Sequence, residues 1–153
     1  MSVCGVSLTA SGRLQPADAT VVAKAHLYAG SMGLSVYPLI GGNLTALHAA
    51  MARADAFFAE SVVLAATLTA DGFNLDLEIG TQAITPKDTS EYLTFLDAWA
   101  VALEAAGLEL QYDLGGCDDP YKSDFMCAPP AQPCSSLLRT ADWACHAHVS
   151  VPD

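Results

Sequence analysis

The stretch ADGFNLDLEIGTQ, residues 70–82, decides how this chain is read. Within it Phe73, Leu75, Leu77 and Ile79 alternate with Asn74, Asp76 and Glu78. Side chains of a strand point to opposite faces in turn, so the four apolar residues share one face and the three polar ones the other. A strand of a parallel sheet covered by helices is normally apolar on both faces, because both are buried. Burying a carboxylate without partners costs several kcal/mol or forces it neutral. Three polar residues in a row therefore call for a wet interior, a site that uses them, or a strand at the edge of an open sheet with one solvated face. The edge strand explains the alternation but not the choice of two acids and an amide.

Outward from this strand the elements alternate regularly. SVCGVSLT, residues 2–9, reads as a strand. QPADATVVAKAHLYAGSMG, residues 15–33, reads as a helix opened by Pro16 and Asp18 and stopped by Gly33. LSVYPLIGG, residues 34–42, is a short apolar run that predicts a buried strand. Asn43 or Thr45 can cap one long helix from Leu44 to Asp71, with an irregular end where β-branched residues collect. Asn43-Leu44-Thr45 is also a glycosylation sequon, though its place after Gly42 favours the cap.

After the polar strand, Thr89 or Ser90 can cap a helix with Tyr92, Leu93, Leu96, Trp99, Ala100 and Leu103 at helical spacing and Gly107 as its stop. LELQYDLGG, residues 108–116, closes the series as a strand. Strands alternating with helices mean βαβ units and parallel pairing. From Cys117 onward no period is visible, and APPAQP stands in the middle of the segment.

The chain of 153 residues is 52% hydrophobic and 15% charged, which fits a largely buried architecture rather than disorder. Its formal net charge of −11 is unsuited to gripping phosphates, so nucleic acid is not an expected partner. No stretch is long and apolar enough to predict a membrane span, and no complete signal peptide is present. Cys117, Cys127, Cys134 and Cys145 have spacings that match no zinc pattern, and His146 and His148 lack a second close pair of ligands, so no metal is expected. Four cysteines in a Pro- and Asp-rich loop point instead to two disulfides and a secretory or lysosomal/vacuolar compartment, the alternative being reduced thiols.

DGFNLDLE, residues 71–78, resembles the DGxDxDxE signature of family 18 glycoside hydrolases, the chitinase-type barrels, with Asp71, Gly72, Asp76 and Glu78 matching. PLIGG, ending in Gly41 and Gly42 one βα unit upstream, resembles the family's SxGG segment. The resemblance implies an α/β fold of parallel (β/α) units: residues 1–116 as about half of a (β/α)8 TIM-type barrel, and residues 117–153 as a Cys/Pro-rich excursion of the same domain. It implies hydrolysis of glycans containing N-acetylglucosamine, without a cofactor. Glu78 would be the general acid and then the base, and Asp76 would orient the substrate's own acetamido group as it attacks. Asn74, Tyr112, Asp113, Gly41 and Gly42 are the candidate substrate contacts, Asp113 being equally readable as a cap for the excursion.

Two departures stand out. The family's acid before Asp76 is here Asn74, and the serine of SxGG is here Leu39. Both leave open a lectin-like protein that binds sugar without cleaving it, or a truncated product without independent function. A complete barrel takes roughly 250 residues. Residues 1–153 alone are therefore expected to be marginally stable, prone to self-association and inactive.

Overall fold

A computed structural model of the chain describes residues 2–16, 19–77 and 85–112. They form strand β1 (Ser2–Leu8), strand β2 (Leu14–Pro16), helix α1 (Ala19–Gly30), strand β3 (Tyr37–Gly42), helices α2 (Leu44–Met51) and α3 (Ala54–Leu68), strand β4 (Gly72–Leu77), helix α4 (Pro86–Glu104) and strand β5 (Glu109–Tyr112). The strands make one sheet in the order β2-β1-β3-β4-β5. β1, β3, β4 and β5 are parallel and adjacent in chain order, and β2 is antiparallel to β1. The α/β alternation read from the sequence is thus present as a mixed sheet, mostly parallel.

β4 is hydrogen-bonded on both sides, to β3 and to β5. This removes the edge-strand explanation of its polar face. Phe73 stacks on Trp99 of α4 at a ring-centroid distance of 6.2 Å, which fixes the helix-facing side. Val6 and Leu8 of β1, Ile40 of β3 and Phe73, Leu75 and Leu77 of β4 join one core with buried residues from all four helices. Phe57 lies edge-on to Trp99 at 4.9 Å, and the indole N–H of Trp99 donates to Ser61 Oγ at 2.9 Å, so the one polar atom of that ring is satisfied inside the core. Asn74 and Asp76 must then face away from the helices.

Three expectations are corrected, and one choice left open is made. The segment around Pro16 begins no helix: Leu14–Pro16 pair with Val6–Leu8 as the outer arm of a hairpin turned at Ser11-Gly12. Proline is tolerated there because an edge strand need not donate outward. The long helix expected from Leu44 is two, broken at Ala52 and Arg53. The break has a tertiary cause: Gly12 lies so close to α2 that a methyl group on it would sit 2.3 Å from Ala50 N, and Arg53 donates to the Gly12 carbonyl at 3.0 Å.

At the start of α2, Asn43 rather than Thr45 is the cap, its Oδ1 accepting from Ala46 N at 3.0 Å. At the start of α4 the cap is neither Thr89 nor Ser90 but Thr85, in a capping box with Asp88 and with Pro86 opening the helix. The stop at Gly107 is as expected: Leu108 N–H bonds to Leu103 O and Gly107 N–H to Glu104 O, both at 2.9 Å, with Gly107 at φ 72°. The cysteines expected to form disulfides lie outside the described residues.

Candidate active site

Strand register sorts the face opposite the helices into three rows. Residues paired across parallel strands point to the same side, so each row runs across the sheet. The lowest row holds Tyr37, Gly72 and Glu109. Glu109 pairs with Gly72, and Tyr37 stands two residues before Leu39 as Gly72 stands two before Asn74. The Tyr37 hydroxyl donates to Glu109 Oε2 at 2.5 Å, a bond reaching from β3 to β5 across β4. At Gly72 the β4 and β5 backbones come so close that a methyl group would lie 1.9 Å from the Glu109 carbonyl oxygen. Burial, and then the bond to the Glu109 carboxylate, push the Tyr37 phenol above its ordinary value of 10.0.

Asp71, at the foot of the same strand, ties three strands together. Its carboxylate accepts from Val36 N at 2.7 Å, its own N–H bonds to Val36 O at 3.0 Å, and its carbonyl accepts from Glu109 N at 3.0 Å. The first two residues of the DGFNLDLE stretch therefore hold the sheet. The chemistry has to come from further along.

The middle row is Leu39, Asn74 and Gln111. Asn74 is only 3% exposed, with the neutral side chains of Leu39 and Gln111 at its level. Above it runs Ser7, Gly41 and Asp76, at the carboxyl ends of their strands. Asp76 is half-buried and Ser7 exposed, while a methyl group built on Gly41 would meet no described residue within 4 Å. The upper row is thus open over its centre, with a carboxylate on one side and a hydroxyl on the other. No residue in the three rows is basic.

The structure brings together three of the residues singled out from sequence, Asn74, Asp76 and Gly41, and separates two others from them. Gly42 pairs with Leu77 on the helix side, where a Cβ would come within 2.9 Å of the Leu8 Cβ; it serves packing, not substrate. Tyr112 pairs with Leu75, and its ring meets Tyr92 of α4 edge-on at 6.2 Å. Expected at the sugar site, it belongs to the helix-facing layer. Glu78 and Asp113 lie outside the described residues.

Ser7 and the Tyr37–Glu109 bond were not legible as parts of this face. The alternation Val6, Ser7, Leu8 would have placed Ser7 opposite its apolar neighbours, but a register irregularity between Cys4 and Val6 hides which face that is. Among the described residues no cluster of His, Cys, Asp and Glu could hold a metal ion. A groove lined by His48, Met51, Phe58, Asp88 and Phe95 lies among the helices.

Neither a protein-family model nor a curated protein matches the chain. Among solved structures it is similar to a class V chitinase from Pseudomonas fluorescens, with a TM-score of 0.61 and 20% identity over 77% of this chain and 39% of that one. It is similar to a chitinase from Chromobacterium violaceum, with a TM-score of 0.61 and 19% identity over 81% of this chain and 41% of the other. A chitinase from Bacteroides thetaiotaomicron matches with a TM-score of 0.63 and 14% identity, over 74% of this chain and 37% of its own. The chain spans about two fifths of the length of these relatives. The likeness, at such identities, is one of architecture: the chain has a chitinase-like glycoside hydrolase fold.

Proposed function

We propose that this chain is the catalytic part of a family 18-type glycoside hydrolase acting on glycans that contain N-acetylglucosamine, and that its parallel strands are one arc of a (β/α)8 barrel. One observation carries the reading. An interior strand of the sheet turns a buried amide and, above it, a half-buried carboxylate away from the helices, beside a glycine that leaves open space. The strand order supports the barrel, because each parallel strand lies beside its predecessor and the series never reverses. Glu78 follows Asp76 by two residues, the sequence spacing at which a strand repeats one face.

In this mechanism Glu78 gives its proton to the glycosidic oxygen as the bond to the sugar carbon breaks. The carbonyl oxygen of the substrate's acetamido group forms the new bond to that carbon. Asp76 accepts a hydrogen bond from the acetamido N–H and stabilises the positive charge that develops there. Water then attacks the same carbon as its bond to the acetamido oxygen breaks, giving a proton to the Glu78 carboxylate, so the acetamido group and the protonated acid are both regenerated.

The test is hydrolysis of chitin oligosaccharides by the protein at its full natural length. Glu78→Gln should lower turnover by at least about a hundredfold while binding persists, as loss of a general acid does. Near-normal hydrolysis by that variant would remove Glu78 from the role. A second reading, sugar binding without cleavage, is favoured by the Leu39–Asn74 pair beneath Asp76, neither of which can share or store a proton. Binding by the native protein without any turnover would select it.

A further inference from the structure

The upper row of the open face contains a residue that the reaction above does not use. Ser7 pairs with Gly41, and Gly41 with Asp76, so the three stand side by side on neighbouring strands. Val6 pairs with Ile40 and both are buried in the helix-side core, which commits the next residue, Ser7, to the face of Asp76. Ser7 is exposed there. β1 is held on both flanks at this level, since Ser7 also pairs with Gln15 of β2, itself exposed.

Neighbouring strands run about 4.8 Å apart, so the backbones at Ser7 and Asp76 stand about 9.6 Å from each other across that of Gly41. That span is on the scale of one sugar ring with a hydrogen bond at each edge. The open space over Gly41 is where such a ring could lie.

We propose that Ser7 is a substrate contact: one sugar ring sits over Gly41, held on one edge by Asp76 and on the other by the Ser7 hydroxyl. Ser7 donates to or accepts from a ring hydroxyl and so reads the polar substituents on the edge remote from the reacting carbon. This rests on the proposed sugar-binding function and adds to it the bank of the site that β1 supplies.

A titration of the protein with tri-N-acetylchitotriose, followed by NMR, tests this, with Tm measured on the same samples. Ser7→Ala should weaken binding about three- to tenfold, the share of one neutral hydrogen bond, and Ser7→Thr should restore it. Gly41→Ala should keep or raise Tm, since its methyl group has room in a strand, and should still lose binding. If Ser7→Ala or Gly41→Ala binds as the native protein does while Asp76→Asn does not, Ser7 and the seat over Gly41 are wrong and the sugar site stands. If the native protein does not bind the trisaccharide at all, the sugar reading falls and this inference with it.

Discussion

Gly41 and Gly42 are neighbours in sequence and do opposite things. Gly41 keeps space open on the polar face, and Gly42 admits Leu8 and Leu77 on the apolar one. PLIGG suggested the two as one binding motif; their division between faces was not legible in it, because it depends on cross-strand register. Tyr112 misled for the same reason: only its partner Leu75 shows which side it takes. Gly72 gives the sharpest test at this scale. Its missing side chain lets β4 and β5 approach, so Gly72→Ala must push backbone against backbone. We expect a loss of about 3 kcal/mol or more in chemical denaturation, at the upper end of overpacking effects, and a loss of stability near zero would disprove the close approach.

Among the elements, α4 shows what local chemistry can and cannot say. Its apolar stripe was readable, and Tyr92, Leu96, Trp99 and Leu103 are buried as the spacing required. Its start was not, because Thr85, Thr89 and Ser90 all qualify as caps. The choice falls to Thr85 because Pro86 then occupies the first turn and Asp88 the third position, where its carboxylate accepts from Thr85 N at 2.9 Å. Thr85→Ala should cost about 1 kcal/mol in denaturation experiments. The bonds from Thr85, with a smaller share from His48, hold the Asp88 carboxyl below its ordinary value of 3.8. A depressed acid stabilises the fold above its unfolded value and ceases to do so as pH falls through the lowered one. The Tm gap between the native protein and Asp88→Ala should therefore be full at neutral pH and close below pH 3.8; a gap independent of pH would contradict it. The α2–α3 break carried no glycine or proline signal, since its cause lies far away in the chain, at Gly12.

For the molecule as a whole, the alternation of strands and helices was enough to anticipate parallel strands in chain order, while the short antiparallel β2 went unseen. Three residues are too few to carry a period, and the turn Ser11-Gly12 was its only mark. Among the described residues β5 pairs with β4 alone, and Leu27, Tyr28, Met32 and Leu34 stand exposed on and just after α1. Residues 1–153 expressed alone should self-associate through such surfaces, visible as concentration-dependent mass in sedimentation, and a strictly monomeric, cooperatively unfolding species would refute this. The sheet also supports the two sides of the open row differently. Asp76 rides on a strand paired with two parallel neighbours, whereas Ser7 rides on β1, whose outer flank is covered by three residues ending in Pro16. The turn joining β1 to β2 is tied to the helix side by Arg53, which also grips Glu60, while Arg13 reaches Glu60 at 3.2 Å. The position of one side of the row therefore depends on an ionic clasp that salt can screen, and the position of the other on strand pairing that salt leaves alone.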